Sequence, residues 1–91
     1  MEVVVETFRN PGEPSSRGIR VRPIPGQRFS PQYRVWCSVS QRREKPVGSM
    51  FLVNVSLVHS KTDSYLKIDL KEQWVPVSED EAQKFVRAAR E

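Results

Sequence analysis

Met50-Phe51-Leu52-Val53-Asn54-Val55-Ser56-Leu57-Val58 is the most apolar stretch of the chain. Successive side chains of a strand point to opposite faces, so the stretch sorts into two sets. Phe51, Val53, Val55 and Leu57 share one face, while Asn54 and Ser56 stand among Met50, Leu52 and Val58 on the other. A strand apolar on both faces belongs at the centre of a sheet, which predicts a central strand over 50–58.

Working outward, Lys61-Thr62-Asp63-Ser64 has the composition of a hairpin connection. It leads into 65–70, where Leu66, Ile68 and Leu70 alternate with Tyr65, Lys67 and Asp69. A short extended piece over 73–77 follows, placed at an edge because Pro76 has no N–H to give a ladder. On the other side, Gln41 to Gly48 forms a charged connection. Before it, Tyr33, Val35, Cys37 and Val39 alternate with Arg34, Trp36, Ser38 and Ser40, predicting a strand over 33–40. Ile19, Val21 and Pro23 alternate with Arg20 and Arg22, which puts both arginines on one face of a short strand. The β-branched run of 2–9 predicts a first strand, and the Pro- and Gly-containing segment 10–18 predicts a mobile loop.

The last element is a helix over 78–91. Ser78 and Glu81 have capping-box spacing, and Glu79 and Asp80 suit the positive end of the helix dipole. Ala82, Phe85, Val86 and Ala89 form one stripe for packing on the sheet. Strands in series followed by one helix make the fold class α+β: a small, strongly curved antiparallel sheet or partial barrel of five or six strands with one C-terminal helix. The chain of 91 residues has room for a single domain, 1–91, with a thin core.

Composition removes several function classes. No apolar run approaches the ~18 residues of a membrane-spanning helix. A single Cys37 and a single His59 exclude a disulfide framework, a multi-thiolate zinc site and a two-histidine metal motif. No basic-then-apolar leader opens the chain, so the expected location is cytoplasmic, with no membrane, metal or cofactor. Cys37, on the apolar face of its strand, is expected to be a small buried hydrophobe. His59 lies near Ser56, Ser60 and Asp63, but no nucleophile elbow accompanies it, and the chain is read as non-enzymatic. There is no Gly-rich phosphate loop, no aromatic-rich RNA-recognition signature and no GXXG clamp.

The positive charge is concentrated. Net charge is +4, yet between Arg9 and Lys45 nine basic residues face only Glu13 and Glu44, and eight of the nine are arginine. Guanidinium groups bind phosphate bidentately and stack on rings. Interleaved with aromatics, they suit a nucleic-acid platform. The expected site comprises Arg17, Arg20, Arg22, Arg28, Arg34, Trp36, Arg42 and Arg43, with Trp36 or Tyr33 stacking on bases. The partner would be DNA or RNA, bound with little sequence specificity. The alternative is an accessory protein-interaction or homo-oligomerisation module, motivated by the two apolar faces of 50–58, of which one helix covers only one. A third reading is a small-ligand pocket lined by Tyr33, Phe51, Val55 and Trp74.

Overall fold

In the computed structural model β4 (Met50–His59) serves both neighbours of the sheet. On one edge it pairs antiparallel with β1 (Glu2–Phe8), in the register Val3↔Val53 and Val5↔Phe51. The Val55 N–H donates to the Met1 carbonyl at 2.7 Å and the Met1 ammonium donates to the Val55 carbonyl at 3.1 Å, which continues this pairing. The other edge is shared by β6 (Val75–Val77), opposite Met50–Leu52, and β5 (Ser64–Ile68), opposite Val55–His59. Between them the Asn54 N–H donates to Glu72 Oε1 at 3.3 Å. The structure describes residues 1–9, 12 and 18–90, without the side chains of Val39, Arg42 and Arg90. Apart from Gly12 and Gly18, the segment 10–18 lies outside the described residues.

β2 (Arg20–Pro23) adds antiparallel to β1, and β3 (Val35–Trp36) adds parallel to β5, giving the order β2-β1-β4-β5-β3 with β6 beside β4. The sheet curls until β2 and β3 approach one another, a nearly closed barrel. The expected α+β class holds, with one departure: the β3–β5 pair is parallel, so the sheet is mixed.

Burial follows the alternation. Val3, Val5, Val21, Phe51, Val53, Val55, Leu66 and Ile68 fill the barrel interior with Phe29 and Cys37. The outer residues Val4 and Ile24 are buried under α2 (Glu79–Arg90) by Ala82 and Val86, with Met50, Leu52, Val77 and Phe85 packed around them. The inner face of β4 is therefore covered by the curl of the sheet and the Met50 and Leu52 end of its outer face by the helix, while Asn54 and Ser56 farther along the outer face stay exposed. Ala89, expected in the helix stripe, is exposed.

The strand expected over 33–40 is cut to Val35–Trp36. Ser38 and Gln41 form a capping box: the Gln41 N–H donates to Ser38 Oγ at 3.1 Å and the Ser38 N–H donates to Gln41 Oε1 at 3.1 Å. That box turns the chain into α1 (Val39–Arg43), where a connection was expected. Gln41 Nε2 then reaches the carbonyls of Asp69 and Leu70, tying α1 to the segment after β5. Leu70, expected on a strand, lies beyond the end of β5 and is 65% exposed.

Past Pro23 the Ile24 N–H still donates to the Val4 carbonyl at 3.1 Å, so the missing donor of Pro23 does not end the pairing with β1. The ladder is completed by a side chain: the Val4 N–H donates to Gln27 Oε1 at 2.8 Å, and Gln27 Nε2 donates to the Val4 carbonyl at 2.8 Å. The turn that presents Gln27 passes through Gly26, whose φ of +95° is strained for any side chain. A Cβ on Gly26 would stand 2.9 Å from Val86 Cγ1, so this turn also lets α2 seat against the sheet.

The seat of the helix can be tested at this glycine. Gly26→Ala is expected to lower stability in urea denaturation by about 1–3 kcal/mol. Gly48→Ala, where φ is +85° but nothing lies within 4 Å, should lose less. Equal losses would show that the approach of Val86 contributes nothing. At the helix start the Ser78 N–H donates to Glu81 Oε1 at 3.0 Å and the Glu81 N–H donates to Ser78 Oγ at 3.1 Å. The Ser78 backbone bond, then the Ser78 side-chain bond, hold the Glu81 carboxyl below the usual carboxylate range, with Lys84 adding a smaller pull and desolvation opposing. This contribution is present above the unfolded carboxylate pKa and is lost as pH falls through the lowered folded value. Glu81→Gln should flatten the acid limb of a stability-versus-pH curve; an unchanged limb would remove the box from acid sensitivity.

Candidate functional site

Along the outer face of β1 the residues run Val4, Glu6, Phe8. The helix covers Val4, and beyond it the register places Arg22 beside Glu6 and Arg20 beside Phe8. Arg20 and Arg22 therefore share the outer face of β2, while Val21 between them points into the core. On the far side of the seam, the Leu66 N–H donates to the Arg34 carbonyl at 2.8 Å, which fixes the chain just before β3. Arg34 and Trp36 are both exposed there, and Val35 between them packs on the core.

The two edges leave a cleft of about 480 Å³. One wall is Phe8, Arg20, Val21 and Arg22; the other is the segment from Pro31 to Trp36 together with Tyr65 of β5. Among the described residues the lining holds three arginines and four aromatic rings, and no carboxylate. A second hollow shares Gln32, Tyr33 and Arg34 with it and reaches Asp63 and Ser64.

Rings and cations are paired around the cleft. The Arg22 guanidinium carbon lies 4.2 Å from the centroid of Phe8, and that of Arg34 lies 6.0 Å from the centroid of Tyr65. Lys67, paired with Trp36 in the β3–β5 register, holds its ammonium 5.3 Å from the indole centroid. Tyr33 is held by an edge-to-face contact with buried Phe29 at 5.2 Å between centroids. Two carboxylates outside the lining engage the arginines, Glu6 from the same outer face as Arg22 and Asp63 from the adjoining hollow. Arg22 Nε bonds Glu6 Oε1 at 2.7 Å, and Arg34 Nη2 meets Asp63 Oδ2 at 3.2 Å. The Arg34–Asp63 pair is largely solvated, with side chains 73% and 52% exposed, and such pairs contribute ~0–1 kcal/mol. An incoming anion displaces such a pairing at small cost. Each guanidinium also carries five N–H donors, so one carboxylate contact leaves it able to bind another oxygen.

Of the residues expected in the site, Arg20, Arg22, Arg34 and Trp36 meet in this cleft. Arg28 lies over the ring of Phe29 at 5.6 Å and is not part of the lining. Arg43 sits on α1, away from the lining, and Arg42 lies on the same helix with its side chain outside the described residues. Arg17 is also outside the described residues. Sequence reading missed Phe8, Tyr65 and Lys67. Their outward orientation is visible in the alternation of their strands, but the parallel β3–β5 pairing that sets Tyr65 and Lys67 beside Arg34 and Trp36 is not.

The other candidates separate. Of the four residues of the small-ligand reading, Phe51 and Val55 are core residues and Trp74 packs on Phe51 at 5.7 Å between centroids, while Tyr33 lines the cleft. Cys37 is buried in the barrel interior. His59 Nδ1 lies 3.1 Å from Ser64 Oγ across the exposed end of the β4–β5 hairpin, a cross-strand contact that places the imidazole at the sheet's rim. Among the described residues no three His, Cys, Asp or Glu side chains group to hold a metal ion, and no helix is long and apolar enough to cross a membrane. No protein-family model matches the chain, and neither curated proteins nor solved structures give a significant match.

Proposed function

We propose that this chain is a non-enzymatic nucleic-acid-binding domain whose site is the cleft between β2 and β3. The observation that supports this reading is the composition of the cleft: three arginines and four aromatic rings, with no carboxylate among its described residues. An anion would be drawn to such a surface, and an anion that also carries flat apolar rings would use both kinds of side chain. Nucleic acid has that chemistry. Affinity would come from phosphate neutralisation and stacking, with little base readout, so binding would be salt-dependent and sequence-tolerant.

The protein-interaction alternative draws less support. It depends on an uncovered apolar face of β4, and the Met50 and Leu52 end of that face is packed with α2, leaving Val58 as its one apolar residue outside that contact, beside exposed Asn54 and Ser56.

The test is fluorescence anisotropy with labelled oligonucleotides at about 50 mM and 200 mM salt, the range over which the phosphate contribution changes strongly. The unaltered protein is expected to bind and to weaken steeply with salt. Arg20→Ala with Arg34→Ala removes one cation from each wall and should weaken binding on every sequence, lowering the salt slope by about 1 for each phosphate no longer neutralised. Affinity and slope unchanged in a folded double variant would remove the cleft as the site.

A further inference from the structure

The shape of the cleft, together with the pairing of rings and cations around it, points to a particular form of nucleic acid. Resting on the reading above, we infer that the cleft takes unpaired nucleotides of a single strand and disfavours duplex.

The first reason is concavity. Proteins that read duplex put a protruding helix or β-ribbon into a groove about 12 Å wide. Here Arg20, Arg22 and Arg34 line a recess whose walls include the core residue Val21 and the half-buried Val35 packed against the core. A rigid duplex is itself convex and meets such a recess only at its rim, leaving the rings unused. The volume of about 480 Å³ falls within the ~300–1,000 Å³ of sites that enclose a small molecule, enough for on the order of one or two nucleotides. A single strand can turn a base into that space while its backbone follows the rim.

The second reason is the alternation of chemistry. Phe8 with Arg22, Tyr65 with Arg34 and Trp36 with Lys67 are three ring–cation pairs set around one opening. A single strand presents bases and phosphates alternately, and base faces are available for stacking only when unpaired. Trp36, 46% exposed at the rim, has the largest ring of the set and the most open position.

The third reason is that α2, the longer helix, offers no substitute reader, and α1 is a short segment of five residues. The first turn of α2 carries Glu79, Asp80 and Glu81, which would repel a phosphate backbone, and its apolar side is committed to Val4 and Ile24.

The test compares one mixed-sequence 12-mer as single strand and as blunt duplex, in DNA and in RNA, by anisotropy at about 50 mM salt. The single strand is expected to bind at least about tenfold more tightly than its duplex, with quenching of tryptophan fluorescence. Trp36→Ala should weaken the single strand by roughly 5- to 150-fold, the span that base–aromatic stacking losses cover, and leave duplex affinity unchanged. Trp36→Phe should recover most of the loss. Since Trp36 lies on the surface, a thermal melt of each variant should match that of the unaltered protein. Equal affinity for both forms, or a folded Trp36→Ala that binds the single strand normally, would overturn this inference and leave the proposed function standing. Failure of every oligonucleotide to bind would remove both.

Discussion

β4 has to bury two faces and satisfy two edges, and the rest of the molecule is arranged around those demands. Its inner residues Phe51, Val53 and Val55 can leave water only if the sheet rolls over them, because the longer helix is already committed to Met50 and Leu52 outside. Rolling carries β2, at one end of the order, towards β3 at the other. A small domain buries little more than half of the surface its chain could expose, so using both faces of one strand is an efficient route to a core. The cleft is a geometric consequence of this: two edge strands are brought together without being joined.

Why the barrel stays open can be traced to individual residues. β2 ends at Pro23, which has no N–H to offer an edge partner; beyond it the Ile24 N–H still donates to the Val4 carbonyl, and Gln27 completes the pairing of Val4 with its side-chain amide. β3 stops after Trp36 because Ser38 and Gln41 start α1. Neither edge is long enough to zip to the other, and Pro31 on the approach to β3 can donate nothing across the gap. The same residues that keep the seam unpaired leave Arg20, Arg22, Arg34 and Trp36 on its rim.

The class of fold and most strands were legible because alternation is a local property: Met50 to His59, Glu2 to Phe8 and the Ser78–Glu81 start of α2 are written in consecutive residues. The Ser38–Gln41 box is written just as locally, but the alternation of 33–40 points to a strand and conceals it. A cap outweighs alternation here because it satisfies otherwise orphaned N–H groups, whereas two apolar residues on a short edge gain little. The site was half legible. The common face of Arg20 and Arg22, and that of Arg34 and Trp36, follow from a period of two. Their meeting across the seam, and the arrival of Tyr65, depend on a parallel pairing between strands separated by α1 and β4. Arg28 has the right charge and the right neighbourhood in sequence, yet its turn sets it over Phe29 instead.

Charged side chains on exposed edges have a general explanation that must be weighed against a binding role: they discourage edge-to-edge association of sheets. That explanation accounts for Arg20 and Arg22 on β2. It does not account for the rings. An edge protected only against aggregation gains nothing from Trp36 left half in water, from Tyr65 and Phe8 held half-buried beside it, or from a described lining without a carboxylate. Exposed aromatic area increases the tendency to aggregate, so it works against edge protection. Aromatic rings and cations placed together at an unpaired seam are better explained by a ligand that uses both.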